Sequence, residues 1–419
     1  LRSGHLPLKD YVCDTLKTLK TIDPEIHAFL PEPEREQRLM RDADRLMAQY
    51  PDPDSRPPLY GILLGVKDLY NVDGLPTQAG SQLPPAAFSG NEATIVSRLK
   101  QAGAIVLGKT ITTEFAYFSP GLTTNPANPE HTPGGSSSGS AASVASHICH
   151  LSLGTQTIAS VIRPAAYCGI YGFKPSLGRI PLDGVFPFSH TMDQAGFFTS
   201  RLEDLYFASP HIVENWVEHF EPVEIKPIVP AQAFLNQADA DSRGAFQQFL
   251  EQLGNSGISI QESSLFANPE AINLIHKRLI AAEFARHHQD LYAMYGELYS
   301  PHSRDLYTEG IQIADAELES LQHHPSRARD ELQRIMRSAG ANLILSPGAT
   351  SAAPRGLKST GSPLMSLPFT HAGLPSLAIP WGVNAAGLPL SIQIMADWGK
   401  DEFLLKAASQ IYKLLQESL

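Results

Sequence analysis

Apolar residues along this chain follow two rhythms. Near-continuous runs predict strands buried on both faces of a sheet, and runs spaced three or four apart predict amphipathic helices. Strand-type runs are Tyr60-Gly61-Ile62-Leu63-Leu64-Gly65-Val66, Ala104-Ile105-Val106-Leu107 and Leu151-Ser152-Leu153. The pattern returns after residue 341 in Asn342 to Leu345, Ser376 to Ile379 and Leu390 to Ile394. Helical spacing appears in Glu34 to Tyr50, where Leu39, Ala43 and Leu46 share a face and Pro33 suits a first turn. Ile95, Val96 and Leu99 predict a helix capped by Asn91 and stopped at Gly103. Ser140 to Ile148 reads as a small-residue helix, and Asp239 to Leu253, Ile272 to Tyr295 and Glu402 to Leu415 as longer ones. Pro325 limits any single helix near 310–338.

Strands alternating with helices argue for α/β layering. The predicted organisation is a helical wrapper over 1–55 and an α/β core over 56–205. A variable helical cover over 206–340 and returning strands with a closing helix over 341–419 complete it. At 419 residues this is two to three domains or one large α/β domain. A 42% hydrophobic content against 18% charged supports a large core and excludes extended disorder.

With 32 basic and 43 acidic residues the net charge is −11, which argues against a broad nucleic-acid-binding face. No apolar run approaches the ~18 residues of a membrane span. Leu1-Arg2-Ser3-Gly4-His5 has neither an apolar signal region nor an initiator Met, so the chain is expected to be trimmed. Cys13, Cys149 and Cys168 are too few and too scattered for a disulfide framework or zinc knuckle. They are expected to be structural, and a reducing cytoplasm is the simplest compartment. His287-His288 and His323-His324 lack H-E-x-x-H spacing and are expected on solvated helix faces, with no metal site.

Three segments could carry chemistry. Gly134-Gly135-Ser136-Ser137-Ser138-Gly139-Ser140 reads either as a backbone nest before a helix or as a flexible linker. It is not a phosphate loop, because no Lys follows Gly139. Gly154-Thr155-Gln156-Thr157-Ile158-Ala159-Ser160 places a serine on a turn after a strand. Such a serine is either an exposed nucleophile beside backbone N–H donors or an ordinary turn residue. Lys67 ends an apolar strand. Burial would lower its pKa and make it a base; the alternative is a structural lysine paired with Asp68 or Asp73.

Together, Lys67, Gly134-Gly135-Ser136-Ser137 and Gly154-Thr155-x-Thr157-x-x-Ser160 closely resemble the amidase signature family of serine hydrolases. Gly65-Val66-Lys67-Asp68, Thr124-Asn125-Pro126, Gly169-x-x-Gly172-x-Lys174-Pro175 and Asp193-Gln194 fit the same pattern. So do Gly373 to Pro380 and Gly387 to Gln393, so that the resemblance spans roughly 5–417 and is weakest across 206–340. It implies a single α/β/α domain with a mixed central sheet flanked by helices. It implies a triad of Ser160 as nucleophile, Ser136 after a cis peptide bond, and Lys67 as base. Backbone amides of Thr157, Ile158, Ala159 and Ser160 would form the oxyanion hole. The implied reaction is hydrolysis of a carboxylic amide through an acyl-serine, with no metal or cofactor. The partner is then a small-molecule amide or carbamate, with no nucleic acid and no membrane; a homodimer is compatible.

Four departures stand out. Gln156 replaces the usual Asp, Ile158 and Ala159 replace two glycines, and Ser138 replaces another. The motif arginine is also shifted, to Ile162-Arg163-Pro164. Ile158 either trims the acyl pocket or distorts the turn. Asp193 is expected to orient the serine loop or cap a turn. Tyr117, Phe118, Phe186 and Phe188 are expected to line an aromatic substrate pocket bounded by 117–131, 187–193 and the 206–340 region. Alternatives are a carbamate or ester hydrolase, an A-type amidotransferase subunit, and an inactive protein of the same fold.

Overall fold

The computed structural model describes residues 1–218 and 221–417. Among these described residues a ten-stranded mixed sheet forms the centre. The strands are β1 (Leu63–Lys67), β2 (Ile105–Thr110), β3 (Leu151–Gln156), β4 (Tyr171–Lys174), β5 (Gln194–Thr199), β6 (Pro227–Pro230), β7 (Gln261–Ser263), β8 (Leu343–Pro347), β9 (Ser376–Val383) and β10 (Pro389–Ala396). Their order is β2-β1-β3-β5-β4-β9-β10-β8-β6-β7. Pairs β1–β2, β1–β3, β6–β7 and β6–β8 are parallel, and the remainder antiparallel.

Consecutive strand residues point to opposite faces, and both faces here are covered. Leu63, Ile105, Leu107 and Phe198 pack into a cluster with helices α1 (Leu8–Ile26), α2 (Arg35–Gln49), α4 (Ser138–Ala145) and α5 (Ile162–Cys168). Their neighbours Leu64, Val106 and Phe197 join a larger cluster on the other side, with α3 (Thr94–Gln101) and the helices Leu202–Ile212, Ala240–Asn255 and Asp401–Glu417. This is why the strands read as continuous apolar runs.

Several boundaries differ from expectation. The first strand starts at Leu63, because Leu59 to Ile62 forms a turn closed by Ile62 N–H donating to the Leu59 carbonyl. Asn91 caps nothing: α3 begins at Thr94 after Ala93, whose N–H donates to Asn71. Asp239 does cap its helix, accepting from the Ser242 N–H. The segment 272–295 is two helices, Pro269–His287 and Gln289–Tyr295, and Pro325 sits in the first turn of His324–Ser338. The region 206–340 is not wholly helical, since it supplies β6 and β7 to the sheet.

Candidate active site

The parallel register of β1 and β3 sets Val66 beside Leu153, so the chain ends carrying Lys67 and Thr155 emerge together at the carboxyl edge of the sheet. That edge is where open α/β sheets place their ligands. Lys67 is fully buried, and its Nζ lies 2.7 Å from Ser136 Oγ and 2.7 Å from Thr155 Oγ1. Neither suggested carboxylate pairs with it. Asp68 is taken by Lys109, 2.7 Å away, and accepts from the Gln78 N–H, while Asp73 is exposed. Burial therefore holds the Lys67 amine well below the ordinary lysine value, and the field of Asp193 opposes this more weakly.

The serine-rich segment is no linker: residues 134–140 are all buried. Its hydroxyls are put to use. Ser137 Oγ donates to the Thr155 carbonyl and accepts from the Thr155 N–H, both at 3.2 Å, and Ser140 Oγ donates to Leu153 at 2.8 Å. These bonds lace the segment to β3. Gly154 permits the approach, since a Cβ there would stand 2.8 Å from Ser137 Oγ. The peptide bond Gly135–Ser136 is cis. Arg163 holds this loop from the far side, donating to the Gly135 carbonyl at 2.7 Å and to Thr360 Oγ1 at 3.0 Å. The shifted motif arginine thus ties the Ser136 loop to α5, which begins two residues after Ser160.

Ser160 is buried to 5% exposure and its hydroxyl makes no hydrogen bond among the described residues. The structure thus joins Lys67 to Ser136 directly, and leaves Ser160 on the adjoining turn unbonded. The turn is fastened by its unusual residue. Gln156 Oε1 accepts from the Val161 N–H at 2.8 Å and the Ile162 N–H at 3.0 Å, and Nε2 donates to Thr370 Oγ1 at 2.8 Å. Gln156→Leu is expected to strand two buried donors and lower stability by about 2–4 kcal/mol, read by denaturant unfolding.

Ile158 and Ala159 are absent from the residues with positive φ, so neither needs a glycine here. The Ile158 side chain enters an apolar cluster that includes Phe115, Phe188, Met192, Leu279 and Phe284. Thr157 Oγ1 donates to Asp193 Oδ1 at 2.6 Å. Asp193 Oδ2 accepts from the Phe188 and Ser189 N–H groups at 2.7 and 3.0 Å. Asp193 accordingly both caps the 188–193 turn and tethers the serine turn. Burial pushes its carboxyl up, against these hydrogen bonds.

The expected pocket aromatics converge. Tyr117 stacks on Phe188 at 5.7 Å and tilts against Phe118 at 4.7 Å, while Phe186 meets Phe88 at 4.8 Å. Phe188 is buried and the other three are half-buried. Sequence reasoning missed what backs them. Phe284 lies 5.2 Å from Phe188, and His288 stacks on Phe284 at 3.8 Å. His288 is fully buried rather than solvated, with Nδ1 2.9 Å from Tyr299 Oη, and burial pushes its pKa down to about 3. His324 is half-buried against His371, whereas His287 and His323 are exposed. Glu283, also missed, accepts from Ser189 Oγ, from the Thr191 N–H and from Gln322 Nε2, clamping the 188–193 turn to the helix Pro269–His287. Cys149 and Cys168 are buried and Cys13 half-buried, all unpaired. Among the described residues no helix is long and apolar enough to cross a membrane, and no group of three or more His, Cys, Asp or Glu side chains is arranged so that it could hold a metal ion.

Fold and site together define an α/β enzyme scaffold that presents a buried lysine and serine-bearing turns at one sheet edge. The Amidase family model matches residues 10–405, and the chain belongs to that family of carbon–nitrogen bond hydrolases. Among relatives, it is 31% identical to the A-type subunit of the glutamyl-tRNA(Gln) amidotransferase of Thermus thermophilus, covering 94% of this chain and 91% of that protein. Identity to the corresponding protein of Synechococcus sp. strain RCC307 is 28%, over 97% and 94% of the two chains. Among solved structures, a crystal structure of an amidase superposes with TM-score 0.87 at 29% identity, covering 98% of this chain and 96% of that one. The peptide amidase of Stenotrophomonas maltophilia shares the fold with TM-score 0.83 at 22% identity, over 99% and 95% of the chains.

Proposed function

We propose that this protein hydrolyses a carboxylic amide through a covalent acyl-Ser160. The observation that carries the reading is a buried amine, with no carboxylate partner among the described residues, held 2.7 Å from Ser136 Oγ. A neutral Lys67 can donate to Thr155 and accept from Ser136. As it takes the Ser136 proton, Ser136 takes that of Ser160, and Ser160 Oγ attacks the substrate carbonyl carbon. The resulting oxyanion is held by N–H groups of the 157–160 turn. The C–N bond then breaks as the relay returns a proton to the departing nitrogen, and water releases the acid by the same relay.

The aromatic wall of Tyr117, Phe118, Phe186 and Phe188 suits an apolar or aryl acyl group. A panel of aryl amides, aliphatic amides, ureas, carbamates and esters, with a fluorophosphonate probe mapped by mass spectrometry, tests this reading. Labelling at Ser160 with turnover of amides is expected; a preference for carbamates or esters would move the substrate class, and failure to label would point to an inactive protein.

Ile158 bears on selectivity. It shares one apolar cluster with Phe188, so Ile158→Gly is expected to raise kcat/KM for a bulky acyl amide more than for a small one. An equal gain on both would mean that Ile158 misaligns the oxyanion donors instead.

A second reading is favoured by the relatives: at 31% identity over nearly the whole chain, this protein resembles the A-type component of an amidotransferase. In that case it would pass ammonia to a partner protein. Purification from its own host separates the two, since stable co-purification with other amidotransferase components supports the second.

A further inference from the structure

Three histidines from three separate segments form one line that runs from half-buried His324 into the interior. His276 Nδ1 lies 3.0 Å from His371 Nδ1, and His371 Nε2 lies 2.8 Å from His324 Nδ1. His276 and His371 are fully buried, and His324 is half-buried. At the inner end, His276 Nε2 is buried without a partner at full hydrogen-bond geometry among the described residues, and the Thr157 carbonyl acts weakly on the ring, opposing the effect of burial. Hydrogen bonds in an active site are often long before substrate binds and tighten afterwards.

We propose that His276 is a positioning residue, donating from Nε2 to the Thr157 carbonyl and so aiming the Ile158 N–H at the substrate oxyanion. The proposal rests on the acyl-Ser160 reading above.

The polarity of the line follows from the donor inventory. A neutral imidazole carries one N–H and one lone pair. A carbonyl can only accept, so Nε2 of His276 must hold the proton and Nδ1 must accept. His371 then donates from Nδ1 and accepts at Nε2, and His324 donates from Nδ1. Every internal contact is satisfied by this single arrangement; the reverse one would set two acceptors face to face at Thr157. Burial pushes His276 down to about 4 and also depresses His371 and His324, consistent with a neutral line.

The effect on catalysis follows from peptide planarity. The Thr157–Ile158 bond is trans, so its C=O and N–H point to opposite sides. Fixing the carbonyl towards His276 turns the Ile158 N–H away from it. Thr157 is then held twice, by its hydroxyl on Asp193 and by its carbonyl on His276. A turn built without the usual glycines gains a defined peptide orientation.

The test compares His276→Gln with His276→Met. The two side chains have nearly the same length, and only Gln keeps an N–H donor. The Met variant is expected to lose ~10²–10³ in kcat with little change in KM, as for a lost oxyanion donor, and the Gln variant to recover most of that loss. Equal activity in the two variants, high or low, overturns the proposal, as does a defect confined to KM. If the Met variant does not fold, nitrogen-15 spectra of histidine-labelled wild-type protein decide, with His276 assigned by its loss in the Gln variant. The Nε2–H tautomer supports the proposal and the Nδ1–H tautomer overturns it. Absence of fluorophosphonate labelling at Ser160 in the wild type overturns the acyl-serine reading, whereas normal labelling with indifferent Gln and Met variants overturns only the role of His276.

Discussion

Ser160→Ala is expected to abolish fluorophosphonate labelling and to reduce turnover on the order of 10⁴-fold or more, leaving the folded structure intact. The scale follows from the proposed chemistry: on the acyl-Ser160 reading no acyl-enzyme forms without Oγ, and the residual rate is what binding and the N–H donors of the turn alone provide. The innocuous effect on folding follows from geometry. The Ser160 hydroxyl has no hydrogen-bond partner among the described residues, so its removal leaves no buried donor or acceptor stranded. The turn keeps its real fastenings, which are Gln156 on the Val161 and Ile162 amides and Thr157 on Asp193. Thermal unfolding should therefore match wild type while kcat/KM collapses. Retention of more than a few per cent of activity would place the nucleophile elsewhere.

The same contrast explains what the sequence made legible. Lys67 stood out because a charged residue ending an apolar strand is costly unless it has a use, and the glycine- and serine-rich turns stood out by composition. Strands β1, β2, β3 and β8 to β10 were visible because both sheet faces are covered. β6 was not, being bounded by Pro227 and Pro230, and β7, Gln261-Glu262-Ser263, is polar and largely exposed. The support of the site was invisible for a different reason. Thr155 meets Lys67 across 88 residues, Glu283 meets Ser189 across 94, and His276 meets His371 across 95. No local pattern encodes such meetings. The paired histidines show the limit well: of His287-His288 one ring is solvated and the other is fully buried against Phe284, a difference set by where the helix Pro269–His287 ends.

Lys67→Met should lower kcat by ~10²–10⁴, the usual contribution of a general base, and should stabilise the protein at neutral pH. The two effects share one cause. Burial holds the folded-state pKa of Lys67 well below the ordinary value, so above that lowered pKa the amine is neutral, as the proposed relay requires. Wild-type kcat/KM should accordingly rise with pH through an apparent pKa below the ~10.4 of a free lysine and then stay level. In the unfolded chain Lys67 remains protonated up to its ordinary value. Between the two pKa values the unfolded state therefore binds more protons than the folded one, and stability rises with pH across that window. At neutral pH the buried amine opposes folding, and Met, which fills similar space without a charge to desolvate, removes that opposition. The gain in melting temperature of Lys67→Met over wild type should shrink as pH climbs towards ~10. Ser136 and Thr155 lose a hydrogen-bond partner in the variant, which subtracts from the gain without changing its dependence on pH. An active Lys67→Met variant, or a wild-type profile flat from acid to alkaline pH, would remove the lysine from the relay. A stability difference that does not vary with pH would mean that the amine is already charged in the folded protein.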